Sequence, residues 1–251
     1  MMEIFTPENL VALFTLTVLE LVLGVDNVIF LAIVTQDVPA AQRDFVRKLG
    51  LGLALVGRIV MVLGVTWLLG LDQTLFSLMG HDFSIKDVIL LAGGLFLTYK
   101  AVTEIYKATE LKEEDEDNVL AHKPSVAGMA GVIAQVVIVD MVFAIDSVLT
   151  AVGLTSVTWI IVVAMSISII VMMFFASPIA DFIEQHPSIK MLALTFLVLV
   201  GVLLISESFG EEIERNYVYF AIIFSLGVEA LNFRRQANLE RQKREMGPTS
   251  V

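Results

Sequence analysis

The stretch "ELVLGVDNVIF", residues 20–30, decides how this chain is read. It lies inside an apolar run from residue 10 to residue 34, long enough to cross the roughly 30 Å of hydrocarbon in a bilayer. Yet it carries Glu20, Asp26 and Asn27. Farther on, "DMVFAIDSVLT", residues 140–150, sets Asp140, Asp146 and Ser147 at the same spacing. Polar groups inside an apolar span are costly, and a chain that keeps them twice in one pattern is using them.

The composition agrees with a membrane-embedded chain. Of 251 residues, 57% are hydrophobic, and the mean hydropathy is +0.84; soluble domains sit at about 45–50% apolar. The apolar residues form blocks at 10–34, 50–71, 85–107, 126–152, 157–180, 189–207 and 217–235. Each reads as a transmembrane helix, so the expected fold is all-α with seven spans. Only the short "GLTS" (153–156) separates the fourth span from the fifth. The chain has no cysteine, which removes disulfides, thiolate metal sites and cysteine nucleophiles. A net charge of −11 speaks against a nucleic-acid partner. The leader "MMEIFTPENL" lacks Lys and Arg, unlike a cleavable signal peptide.

Basic residues orient the spans. Arg43, Arg47, Lys48, Lys100, Lys107, Lys112, Lys123, Lys190 and the tail from Arg234 to Arg244 fall on one side; Lys86 and Arg215 fall on the other, and Arg58 lies within a span. The expected protein sits in the cytoplasmic membrane with its N-terminus outside and its C-terminus in the cytoplasm. Three spans separate Glu20 from its counterpart Asp140, so the two motifs cross in opposite directions. A second echo pairs "SIK" at 84–86 with "SIK" at 188–190. The expected organisation is an inverted repeat, a common transporter architecture. Residues 1–110 form the first three-helix unit and 111–125 an acidic cytoplasmic linker. Residues 126–210 form the second unit, and 211–251 hold the seventh helix with a basic tail.

A charge at mid-span costs about 2.5–3.5 kcal/mol. Four carboxylates, Glu20, Asp26, Asp140 and Asp146, would together cost on the order of 10 kcal/mol uncompensated. Positions 20 and 27 share a helix face, as do 140 and 147, while Asp26 and Asp146 stand about 100° away unless the helix loosens. Gly24 would permit loosening in the first motif. Three roles fit these residues: interhelical hydrogen-bonding with Arg58 as counter-charge, a proton or monovalent-cation relay, or a divalent-metal site. Oxygen-only ligands suit hard cations such as Mn²⁺, Mg²⁺ or Ca²⁺. His81, His122 and His186 all fall outside the spans, against an imidazole site.

"ELVLGVDNVIF" and "DMVFAIDSV", with "GGLFLTYKAVTE" in the third span and "YVYFAIIFSLGVEALN" in the seventh, resemble the signatures of the TerC family of integral membrane proteins. That resemblance covers nearly the whole chain. It implies an exporter of manganese or a similar divalent cation, related to the lysine-exporter type of transporter. It also implies that Glu20, Asp26, Asn27, Asp140, Asp146 and Ser147 are the metal-handling set, with Mn²⁺ as cargo and no organic cofactor.

Supporting residues are Arg58, Lys100, Glu104, Gln135, Glu229 and Asn232. Lys100 and Glu104 are spaced for a local ion pair, and Glu229 and Asn232 share a face. Arg58 either pairs with a motif carboxylate or extends towards the cytoplasmic surface. Met141 offers a soft ligand beside Asp140. The run "ELKEEDEDN" (110–118) reads as a solvated linker without calcium-loop spacing. No phosphate-binding loop or Ser-His-Asp set is present, so no enzyme is expected. The partners are the bilayer and a divalent cation, with room for a homo-oligomer or other membrane proteins. A membrane scaffold that recruits exported proteins is the alternative outside transport.

Overall fold

The computed structural model describes residues 6–64, 73–78, 81–110, 126–155, 157–211 and 215–245. The acidic linker at 111–125, the distal end of the second span and the end of the basic tail lie outside these residues.

Thr6 caps the first helix by accepting from the Asn9 amide, and Pro7 occupies the first turn, where its missing N–H costs nothing. This helix, α1 (Pro7–Leu23), passes through Gly24 into α2 (Val25–Val34) and a 3₁₀ turn at Thr35–Asp37. After Pro39 comes α3 (Ala40–Leu63). Then follow α4 (Ile85–Glu110), α5 (Val126–Leu154), α6 (Thr158–Gln185), α7 (Pro187–Ser208) and α8 (Arg215–Glu245).

Among the described residues, five helical stretches are long and apolar enough to cross a membrane: Pro7–Asp37, Ile85–Glu110, Gly128–Leu154, Thr158–Gln185 and Pro187–Ser208. The expected seventh span falls within α8 and the first part of the expected second span, up to Leu63, within α3; both helices carry many charges, among them Arg47, Lys48 and Arg58 in α3.

The all-α expectation needs one correction. Between α3 and α4 the chain forms an antiparallel hairpin, β1 (Thr74–Leu78) with β2 (His81–Ser84). Its residues alternate, so that Phe76 and Phe83 come opposite each other and stack at 5.2 Å between centroids. Buried Phe83 also meets Phe209, edge to face, at the end of α7. Ser84 and Asp87 then exchange hydrogen bonds, Ser84 N–H to Asp87 Oδ2 at 2.8 Å and Asp87 N–H to Ser84 Oγ at 3.2 Å. This reciprocal cap starts α4.

The helix pairs are specific. α1 packs on α6, α3 on both α5 and α6, and α4 on α7. α4 and α7 cross at Gly94 and Gly201, where a Cβ on Gly94 would lie 2.6 Å from the Gly201 carbonyl oxygen. α8 rests lightly on α7, where Phe233 meets the His186 ring. Outward-facing side chains are apolar: Phe14 is 71% exposed and Phe174 76% exposed, a surface suited to lipid rather than water.

Two apolar cores result. The larger takes Val28 from α2, Leu51 from α3 and Val139 and Phe143 from α5. The smaller takes Leu16 from α1, Met61 and Val62 from α3, and Ala144 and Val148 from α5. α3 and α5 contribute to both cores, and α1 and α2 to one each. Glu20 lies between Leu16 and Val28, Arg58 between Leu51 and Met61, and Asp140 beside Val139 on the stretch where α5 passes from the larger core to the smaller. The candidate site is the polar layer between the cores.

Candidate functional site around Arg58

Arg58 is the centre of this layer. It is 2% exposed, and its partners Glu20 and Asp140 are 1% and 4% exposed. Its Nε donates to Asp140 Oδ2 at 3.0 Å and its Nη2 to Asp140 Oδ1 at 2.9 Å, a bidentate pair. Its Nη1 donates to Glu20 Oε2 at 2.8 Å and reaches Ser147 Oγ at 3.5 Å. Asn27 Nδ2 donates to Asp140 Oδ1 at 2.8 Å, tying the two sequence motifs together directly. Of the two roles open to Arg58, the structure shows pairing. The side chain turns inward to the carboxylates.

Local sequence explains why these groups can meet. Gly57 lets α5 approach α3 beside Arg58, since a Cβ there would collide with the Met141 methyl. Gly50 and Gly93 do the same against Val136 and Val142 of α5. Met141, expected as a soft ligand, packs on Gly57. Gly24 carries out the loosening expected of it: α1 ends at Leu23 and α2 begins at Val25. Met172 of α6 fits against the joint, with its sulfur 2.5 Å from where a Gly24 Cβ would stand.

The sequence motifs thus converge in part. Glu20, Asn27, Asp140 and Ser147 gather on one guanidinium or on its acceptors. Asp26 is buried in the first turn of α2 and Asp146 is half-buried on α5; neither is among the acceptors of Arg58. Among the described residues, no three carboxylate or imidazole groups converge as a metal cage requires.

Electrostatically, one guanidinium faces two carboxylates in a layer sealed by apolar cores. Arginine stays protonated in such a site, so the Glu20–Arg58–Asp140 set with both acids ionised retains one negative charge. Two acceptor atoms, Glu20 Oε1 and Asn27 Oδ1, are buried without a hydrogen-bond donor. Such orphaned acceptors are costly where they stand. The layer favours a further cation or proton.

A second polar network, not anticipated, lies at the opposite end of α6 from Thr158. Arg43 Nη1 bonds both oxygens of Glu184 at 2.8 and 2.7 Å, and its remaining donors take the Val38 and Gln36 carbonyls. Buried Arg47 donates to Thr35 Oγ1 at 3.0 Å and reaches Asp181 at 3.4 Å. Ser177 bonds Asp44, which Lys48 also contacts at 2.7 Å; Lys48 and then Ser177 hold the exposed Asp44 carboxyl below the usual carboxylate range. These residues line a groove of about 530 Å³ between α3 and α6. Its sequence signal was the spacing of Arg43 with Arg47 and of Asp181 with Glu184, which puts each pair on one face.

Lys100 and Glu104 pair at 3.0 Å, as their spacing implies, and extend to Asp37 and Lys107. This network ties α4 to the turn after α2. Gln135 stays outside the arginine layer, about 140° round α5 from Asp140, with Oε1 unpartnered. Glu229 and Asn232 lie on α8, which rests on α7, a helix that contributes nothing to the layer.

Comparisons with known proteins support one assignment. A family model described as the integral membrane protein TerC family matches residues 5–244. The UPF0053 inner membrane protein YgdQ of Escherichia coli strain K12 is 46% identical over 229 residues, covering 91% of this chain and 94% of that protein. A UPF0053 protein of Haemophilus influenzae is 43% identical over 228 residues, with 91% and 94% coverage. The inner membrane protein YoaE of Escherichia coli K12 is 38% identical over 237 residues, and the match takes only 45% of its length. No solved structure matches the chain. The motifs, the apolar helices and these relatives agree that the chain belongs to the TerC family of integral membrane proteins.

Proposed function

We propose that this protein transports divalent cations across an inner membrane, with Mn²⁺ as the leading cargo and efflux as the direction. The observation that carries the reading is the buried layer in which two acidic motifs, far apart in sequence, meet around a resident cation. Carboxylate, amide and hydroxyl oxygens make a donor set for hard divalent ions. Glu20 Oε1 and Asn27 Oδ1 already lack donors there. Asp26 and Asp146, one residue from Asn27 and Ser147, are the further carboxylates that a rearranged site or its entrance would use.

The helix pairing supports an inverted repeat. If α1–α2, α3 and α4 correspond to α5, α6 and α7, then α1 on α6 and α3 on α5 are the same relation exchanged between halves. The α3–α6 and α4–α7 pairs map onto themselves. Such a set is what a two-fold axis in the membrane plane generates, and it lets the halves rock about a central site. The lysine and arginine distribution supports a cytoplasmic C-terminus, which puts the Arg43–Glu184 network at the inner face.

Purified protein in vesicles loaded with a Mn²⁺-sensitive dye tests the reading. Wild type is expected to accelerate Mn²⁺ flux, and the Asp26→Asn/Asp146→Asn double variant to lose most of it. Equal flux with and without these carboxylates overturns the proposal. A pH-driven current that persists without any divalent ion points to a proton relay instead.

A further inference from the structure

We infer that Arg58 is a tethered competitor for the cargo cation, a residue that sets affinity and release. The inference rests on the transport reading. A site made of two carboxylates in a low-dielectric layer would bind a dication strongly and give it up slowly. Arg58 takes the same oxygens that the cargo would take. Its three short bonds engage both Asp140 oxygens and Glu20 Oε2 at 2.8–3.0 Å, while Asn27 adds a fourth to Asp140.

A cation entering the layer must displace this guanidinium from at least one carboxylate, and its release is completed when Arg58 returns. Arginine suits this role because it stays charged and spans two carboxylates with one planar head. The side chain is long enough to move while its Cα remains fixed in α3. Packing argues in the same direction: Met141, not a rigid β-branched side chain, lies against Gly57 beside Arg58, and methionine adapts to a neighbour that shifts. The guanidinium thus lowers cargo affinity by the fraction of time it holds the carboxylates, and occupancy of about 90% weakens the apparent affinity about tenfold.

Mn²⁺ binding to the purified full-length chain, read from loss of the free-ion paramagnetic resonance signal, tests this directly. Arg58→Met is expected to bind Mn²⁺ at least about tenfold more tightly than wild type, and to release it more slowly in vesicle flux. Added methylguanidinium is expected to compete with Mn²⁺ in Arg58→Met and to leave wild type nearly unaffected, an outcome that a purely structural arginine does not produce. Should Arg58→Met fail to fold, Arg58→Lys serves. Its ammonium bonds as a point charge and cannot bridge both acids as a fork, so binding tighter than wild type is expected. Folded variants that bind Mn²⁺ no more tightly than wild type overturn the competitor role while leaving transport intact. A wild-type chain that neither binds nor moves Mn²⁺ overturns the transport reading, and this one with it.

Discussion

The two acidic motifs look interchangeable in sequence and behave differently in the fold. In the first, Gly24 separates α1 from α2, and Met172 of α6 fills the space a side chain would need. In the second, α5 runs unbroken from Val126 to Leu154, with Ala144 at the place equivalent to the glycine. Glu20 accepts one short bond from Arg58, whereas Asp140 accepts two and a third from Asn27. The unbroken helix holds the anchoring carboxylate, and the jointed one presents the looser carboxylate with an orphaned oxygen. The two motifs therefore differ in build: one holds its carboxylate on a continuous helix, the other just before a helix joint.

The sharpest test removes the two carboxylates separately. Asp140→Ala strips Arg58 of two bonds and Asn27 of its acceptor, leaving a buried charge half-paired. A loss of about 3–5 kcal/mol is expected, read as a large fall in thermal stability of the purified protein. Glu20→Ala leaves the bidentate pair in place and should cost clearly less. Equal losses would show that the two motifs share the guanidinium evenly.

Next in size is the joint. Gly24→Val forces a branched side chain into Met172 and is expected to cost about 1–3 kcal/mol. Met172→Ala should restore much of that loss if the collision is its cause. Ala144→Gly, which makes the second motif resemble the first, meets no such neighbour problem; it should cost only the helix propensity of glycine, about 1 kcal/mol. If the Gly24→Val loss persists in the Met172→Ala background, the joint matters through its backbone rather than through α6.

The hydrogen-bonding partners differ in the same sense. Asn27→Ala removes a 2.8 Å bond to Asp140 and is expected to cost about 1.5–3 kcal/mol, the range for hydrogen bonds to charged groups. Ser147 stands 3.5 Å from Arg58 and 3.4 Å from the Ala144 carbonyl. At such lengths less energy is at stake, and Ser147→Ala should cost clearly less than Asn27→Ala. Chemical or thermal unfolding of the two variants in one detergent makes the comparison.

Much of this was legible from residues. Apolar blocks of span length located the five helical stretches that, among the described residues, are long and apolar enough to cross a membrane, because hydrocarbon thickness fixes how many residues are needed. Their ends were less clear. α3 starts at Ala40, well before the expected 50, because "AAQRDFVRKL" contains good helix formers behind Pro39 although it is too polar to read as a span. The hairpin at 74–84 was missed because its strands are short and no Asn-Gly or Asp-Gly marks the turn. Within the site, the polar motifs announced themselves by their cost in lipid. Arg58 did not disclose its partners, since one arginine has no periodicity and its choice between two motifs depends on how α3 packs. The Arg43–Glu184 contact spans α3 and α6 in the same way, and only the paired spacings on each helix hinted at it.

The smallest effect separates the remaining pair. Asp26 sits in the first turn of α2, immediately after the Gly24 joint, where backbone N–H groups carry partial positive charge. Asp146 lies inside continuous α5 and has no helix start beneath it. Asp26→Asn is therefore expected to lose about 0.3–1 kcal/mol from the helix-terminus interaction, and Asp146→Asn to lose nothing from that source. The joint is partial, because the Val28 amide still bonds the Gly24 carbonyl at 3.2 Å, so the lower end of that range is the expected value. Paired unfolding measurements of the two variants, repeated across several conditions, check this as a consistent shift. A stability loss at Asp146 equal to that at Asp26 would mean that the charge, not the helix start, is what the fold uses. Both carboxylates would then contribute alike to the field of the layer, and the functional difference between the motifs would rest on Glu20, Asp140 and the glycine joint alone.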